Sequence, residues 1–119
     1  MAQAKYSLTD RTAEFAEQTI RTLRTVQQDS INQRIISQLV GSAGSIGANY
    51  AEAIESESKK DFIHKICISK KEIKETKHWL RLLKISNPEI CHDIEKLEKE
   101  CHELLLIFAK IINSSRINV

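Results

Sequence analysis

An all-α, antiparallel up-and-down four-helix bundle is the fold that this sequence predicts, on three observations. Four segments repeat apolar residues at three- and four-residue spacing, and each opens on a capping pattern. Breakers are scarce, with one Pro and three Gly in 119 residues. Aromatics make up only 5% of the chain, and a sandwich or barrel would need more turn residues than are present. A chain of this length forms one domain around one core.

The first helix is predicted over about residues 8–27. Ser7 followed by Asp10 is a capping pattern: the hydroxyl accepts a first-turn N–H, and the acid suits the positive helix end. Phe15, Ala16, Ile20, Leu23 and Val26 form its apolar stripe, leaving Arg11, Glu14, Glu17, Arg21 and Arg24 toward solvent. Ser30 with Gln33 repeats the cap and opens a second helix over about 31–55, with its stripe at Ile35, Ile36, Leu39, Val40, Ala43, Ile46, Tyr50 and Ala53. Its middle holds Gly41, Gly44 and Gly47, each costing about 1 kcal/mol relative to Ala inside a helix. A neighbouring helix packed close across these glycines is the expected compensation. A phosphate-binding loop is not, since no strand precedes and no Gly-Lys-Ser/Thr follows.

Ser58 with Asp61 caps a third helix over about 59–85, whose stripe is Phe62, Ile66, Ser69, Ile73, Thr76, Leu80 and Leu83. Asn87 and Pro88 then supply an N-cap and a first-turn proline for a fourth helix over about 88–112. Here Ile90, Ile94, Leu97, Cys101, Leu104, Phe108 and Ile111 hold a 3.5-residue period suited to nearly parallel packing. Residues 113–119 lack periodicity and are expected to fray. Short connectors make successive helices antiparallel neighbours.

No secretory leader or membrane-length apolar run is visible, so a cytoplasmic location is expected. The three cysteines, Cys67, Cys91 and Cys101, lack CxxC spacing and read as unpaired thiols. Two Glu-x-x-His pairs, Glu75 with His78 and Glu89 with His92, have the spacing of carboxylate-bridged metal bundles. Both pairs miss the core stripes at 100° per residue, so they predict solvated positions rather than ligands. Cys91-His92 and Cys101-His102 lie about 15 Å apart along a helix, too far to share one zinc. His102-Glu103 begins like HExxH, but position 106 is Leu. No metal, cofactor or catalytic site is implied.

The formal net charge of +2 conceals an uneven distribution. Residues 59–84 carry nine Lys or Arg against three acids, whereas residues 87–111 carry three Lys against six acids. Lys70, Lys74, Lys77, Arg81 and Lys84 fall four and three apart along one helical edge, extended by Lys59, Lys60 and Lys65. Such a stripe suits sequence-independent phosphate contact. The alternative is a protein-interaction scaffold in which these cations pair with acidic helices. Only Trp79 lies nearby, so base stacking is not indicated, and Trp79 reads as a packing or interface residue. The run Leu104 to Ile112 is apolar around most of its circumference, which predicts burial between subunits.

The stretches Gln38-Leu-Val-Gly-Ser-Ala-Gly-Ser-Ile-Gly-Ala-Asn-Tyr-Ala-Glu-Ala53, Ser58-Lys-Lys-Asp-Phe-Ile-His-Lys65 and Lys71-Glu-Ile-Lys-Glu-Thr-Lys-His-Trp-Leu80 together resemble the 23S rRNA intervening-sequence proteins. These are bacterial four-helix-bundle proteins encoded in insertions within 23S rRNA genes or elsewhere, and similar to the accessory variability protein of diversity-generating retroelements. The resemblance covers nearly the whole chain, the fourth helix matching only in pattern. It implies a homopentamer with a basic surface that engages RNA, DNA or a nucleic-acid-processing protein such as a reverse transcriptase. It also makes Ser45, Asn49 and Glu52 candidates for a polar cluster at a helix interface.

Overall fold

The computed structural model describes residues 7–117. Four helices fill it: α1 (Leu8–Leu23), α2 (Ser30–Ile54), α3 (Lys59–Ser86) and α4 (Cys91–Ile117), with a single 3₁₀ turn at Pro88–Ile90 before α4. No strand occurs among the described residues.

Ser7 and Ser58 cap as expected, each hydroxyl accepting a backbone N–H at 3.0 Å, from Asp10 and Asp61. The second cap is Asp29 rather than Ser30: its carboxylate accepts the Asn32 N–H at 2.8 Å. A charged acceptor at the positive helix end is the stronger cap. Helix α1 stops at Leu23, four residues early, because Thr25 and Val26 turn back onto the carbonyls of Thr22 and Leu23 in tighter three-residue bonds. Helix α4 runs on to Ile117 instead of fraying at Asn113. Buried Ile112 continues its apolar stripe in place of the half-buried Ile111.

The core lies where the stripes converge. Phe15 and Leu23 of α1, Leu39 and Ile46 of α2, Ile66, Ile73 and Leu80 of α3, and Ile94, Leu104 and Phe108 of α4 are all buried. Tyr50 meets Phe108 edge to face across the centre, with ring centroids 5.8 Å apart. Two stripe positions differ from the expectation: Ile20 and Val40 are exposed, and Thr19 takes the place of Ile20 inside, its hydroxyl donating to the Phe15 carbonyl.

Helix α2 packs against α1 and α3, and α4 against α3 and α1. Between α2 and α3, Asn32 meets Asn87, Ser42 meets Thr76, Ser69 meets the Ile46 carbonyl, and Glu52 meets Lys65. Residue numbers thus rise along one helix as they fall along the other. Between α3 and α4 the same holds, from Cys67 with Arg116 to Lys84 with Glu98.

Among the described residues the buried polar side chains find side-chain or backbone hydrogen-bond partners, as burial demands, with the exception of the Trp79 indole N–H, which has none. The Asn32 and Asn87 amides exchange hydrogen bonds at 3.1 and 2.9 Å, so Asn87 makes no cap bond to the 3₁₀ turn that follows it. The expected cluster of Ser45, Asn49 and Glu52 does not form. Ser45 and Asn49 bond to carbonyls of their own helix, and Glu52 reaches Lys65 at the surface. Ser42, Ser69 and Thr76 occupy the α2–α3 interface instead.

The glycines divide. A Cβ on Gly47 would meet Thr12 Oγ1 at 3.0 Å, so α1 does approach closely there. Gly41 and Gly44 have nothing within 4 Å of that position and face outward, contrary to the expectation of a neighbouring helix. Most of the apolar run ending α4 is absorbed by its own subunit: Leu104, Phe108 and Ile112 are buried, Leu105, Ile107 and Ile111 pack against the core, and Leu106 is exposed.

Candidate nucleic-acid interface

A phosphate-contacting surface needs cations that are exposed and not already neutralised, and α3 sorts its basic residues on that criterion. Lys65 is bound to Glu52 at 2.6 Å. Lys84 lies 2.7 Å from Glu98 and 3.8 Å from Glu95, and the hydrogen bond it donates to Glu98 raises its pKa above the ordinary lysine value. Lys77 approaches His102 Nδ1 at 3.3 Å. Lys59 and Lys60 are exposed in the first turn of α3, away from the rest of the stripe. Lys70, Lys74 and Arg81 make no ion pair within 4 Å among the described residues. The edge expected from the sequence is therefore not uniformly available: Lys65 and Lys84 are paired, Lys77 meets His102, and Lys70, Lys74 and Arg81 between them are open.

Helix α4 explains the division. Its acids are engaged at two places. Glu100 and Glu103 hold Arg11 of α1 at 2.7 and 2.9 Å, and Glu95 and Glu98 hold Lys84. The hydrogen bonds that Arg11 donates to Glu100 hold its guanidinium more firmly in the charged form. Beyond Glu103 the chain contains no acid, so the part of α4 lying along Lys70 and Lys74 offers no counter-ion.

There the two helices border an open pocket of about 270 Å³ lined by Cys67, Lys70, Lys71, Lys74, Ile112 and Arg116. Arg116 points its Nη2 at Cys67 Sγ, 3.8 Å away. Lys71 and Arg116 were not singled out by the sequence. Lys71 falls outside the four-and-three spacing, and Arg116 belongs to the segment expected to fray; only the continuation of the α4 stripe through Ile112 would have signalled it. A second groove of about 860 Å³ lies between α1 and α4. Its carboxylates Glu14, Asp93 and Glu100 make it unsuited to phosphate.

The remaining motifs take structural or solvated places. Glu75, His78, Glu89 and His92 are all exposed, as are His102 and Glu103. No group of three or more His, Cys, Asp or Glu able to hold a metal ion occurs among the described residues. Cys67 and Cys91 are half-buried free thiols, whereas Cys101 is buried and its pKa is pushed up to about 12 by burial. Trp79 packs against the core with its ring edge-on to His78, consistent with a packing role rather than a stacking platform for bases. No helix of the described residues is long and apolar enough to cross a membrane.

Fold and surface together define an all-helical arrangement, with no strand among the described residues, organised around a partly neutralised basic helix. The chain belongs to the 23S rRNA-intervening sequence protein family, whose profile matches residues 4–110. Among solved structures it is similar to a protein of unknown function from the S23 ribosomal protein family of Bacteroides thetaiotaomicron VPI-5482. That likeness has a TM-score of 0.80 at 29% identity and covers 89% of this chain and 98% of the other. A comparison with curated proteins gives no match.

Proposed function

We propose that this chain is a non-enzymatic, cytoplasmic, antiparallel four-helix bundle that self-associates, as a homopentamer, and presents a basic α3–α4 surface to RNA or DNA. The observation that carries the binding role is the open middle of the basic stripe. Among the described residues Lys70, Lys74 and Arg81 make no ion pair, the neighbouring acids of α4 being engaged by other cations. Family membership supports the bundle, and the falling and rising residue pairs between α2, α3 and α4 support its antiparallel order.

Self-association is supported by the outer face of α2. Ser37, Val40, Gly41, Gly44, Ala48 and Ala51 are all exposed, and no charged residue lies between Arg34 and Glu52. Among the described residues nothing packs against Gly41 and Gly44 to compensate their helix cost, whereas a second backbone packed there would.

The competing reading, a protein-interaction scaffold, draws on the pairing of Lys65 and Lys84 with acidic neighbours. Fluorescence anisotropy with a structured RNA separates the two. Nucleic-acid binding predicts binding at low salt that is lost in Lys74→Glu with Lys77→Glu. A scaffold predicts no binding, and a protein partner without nucleic acid after purification.

A further inference from the structure

We infer that the pocket between α3 and α4 is a built seat for one backbone phosphate of the bound nucleic acid, held by Lys70, Lys71, Lys74 and Arg116. This rests on the nucleic-acid reading above and adds where the strand is anchored.

Three features separate the pocket from an ordinary solvated basic face. Four cations from two helices converge on one concavity, and no carboxylate lines it. Like charges three and four apart on a helix repel, so the cluster destabilises the empty subunit, and a bound anion removes that repulsion. The floor is apolar: Ile112 is 4% exposed and Cys67 is half-buried, and lysine stems lie along such a floor with their ammonium groups at the rim. Arg116 supplies the planar fork that phosphate oxygens match in pairs, and the lysines supply adaptable point charges around it. The concavity, about 270 Å³ and open to solvent, has room for a phosphate that keeps part of its hydration.

Cys67 makes the pocket directly testable, since its thiol lies inside. Alkylation of the full-length protein by N-ethylmaleimide is followed by peptide mass spectrometry with and without a 12-nucleotide single-stranded RNA. Cys91, half-buried at the start of α4, is the internal control. The expected result is at least a threefold slowing at Cys67 with Cys91 unchanged. Lys70→Gln with Arg116→Gln abolishes the protection and makes the salt dependence of RNA affinity shallower by about 0.7 in log–log slope, for the one phosphate no longer held. Lys99→Gln, which removes a charge elsewhere, preserves the protection.

RNA that binds by anisotropy while Cys67 reacts at its free rate overturns the pocket and leaves the proposed function standing. Protection by millimolar inorganic phosphate but not by RNA overturns the assignment to nucleic acid in favour of a free oxyanion. RNA that fails to bind at low salt overturns both. The footprint on the unmodified chain decides the matter even if the double variant fails to fold.

Discussion

Replacing Asn32 by Ala removes the most connected polar side chain inside the bundle. Asn32 is 2% exposed. Its amide donates to the Gln27 carbonyl at 2.9 Å and to Asn87 Oδ1 at 3.1 Å, while its oxygen accepts from Ser86 Oγ at 2.8 Å and Asn87 Nδ2 at 2.9 Å. Gln27 is exposed and Ser86 half-buried, so both regain water after truncation. Asn87 is buried and keeps only its bond to the Leu83 carbonyl, which leaves its oxygen unsatisfied. With the Gln27 and Ser86 bonds replaced by water, the orphaned Asn87 acceptor sets the loss, at the upper end of 1–3 kcal/mol, so the expected destabilisation is about 3 kcal/mol. That corresponds to a fall in melting temperature of roughly 10 °C for a domain of this size. Thermal and urea unfolding followed by circular dichroism, at one fixed protein concentration, measure it. A cycle with Asn87→Ala sharpens the test. Because each single variant orphans the other amide, the double variant loses less than the sum by about 1–2 kcal/mol. A loss under about 1 kcal/mol for Asn32→Ala, or additivity within ~0.3 kcal/mol, refutes the reciprocal amide pair as a stabilising element.

Burial, with a contribution from neighbouring Glu75, raises the Glu72 pKa above its ordinary 4.5. The folded state therefore holds this proton more tightly than the unfolded chain, and the charged form opposes folding once pH rises past the unfolded value. Glu72→Gln is expected to stabilise the protein at pH 7 and to change little at pH 4, as pH-dependent melts will show; an equal effect at both values contradicts the assignment. Gly47→Ala brings a Cβ to 3.0 Å from buried Thr12 and should lower stability by about 1 kcal/mol despite the gain in helix propensity, measured by urea unfolding. Ala48→Glu places a charge on the uncharged outer face of α2 and should leave helicity intact while shifting light-scattering mass to that of the single chain. A Glu variant that keeps the mass of the unmodified protein removes α2 as the self-association face.

The helices were legible because their stripes are local: Ile66, Ile73 and Leu80, or Ile94, Leu97, Cys101, Leu104 and Phe108, can bury themselves only by turning one face inward. What the local pattern could not carry was the identity of the partner. Ser30 and Asn87 both have the chemistry of caps. The decision went to Asp29 because it is charged, and Asn87 was drawn away by an amide 55 positions distant. Gly41, Gly44 and Gly47 are equivalent in sequence, yet only Gly47 lies under Thr12. The basic stripe was legible as spacing, but neutralisation of Lys65 and Lys84 depends on where Glu52 and Glu98 stand in three dimensions. Arg116 was missed for a related reason: the helix that carries it is extended by packing of Ile112 rather than by propensity.

The salt dependence of RNA affinity tests the central claim most directly. Four phosphates neutralised along the open stripe, one of them seated in the pocket, give a log–log slope of about −2.8 per bound subunit for a single strand, or about a fifty-fold weakening between 50 and 200 mM salt. Binding at 50 mM salt with that slope is the predicted result. Absence of binding at 50 mM, or an affinity indifferent to salt, contradicts a nucleic-acid-binding role for this surface.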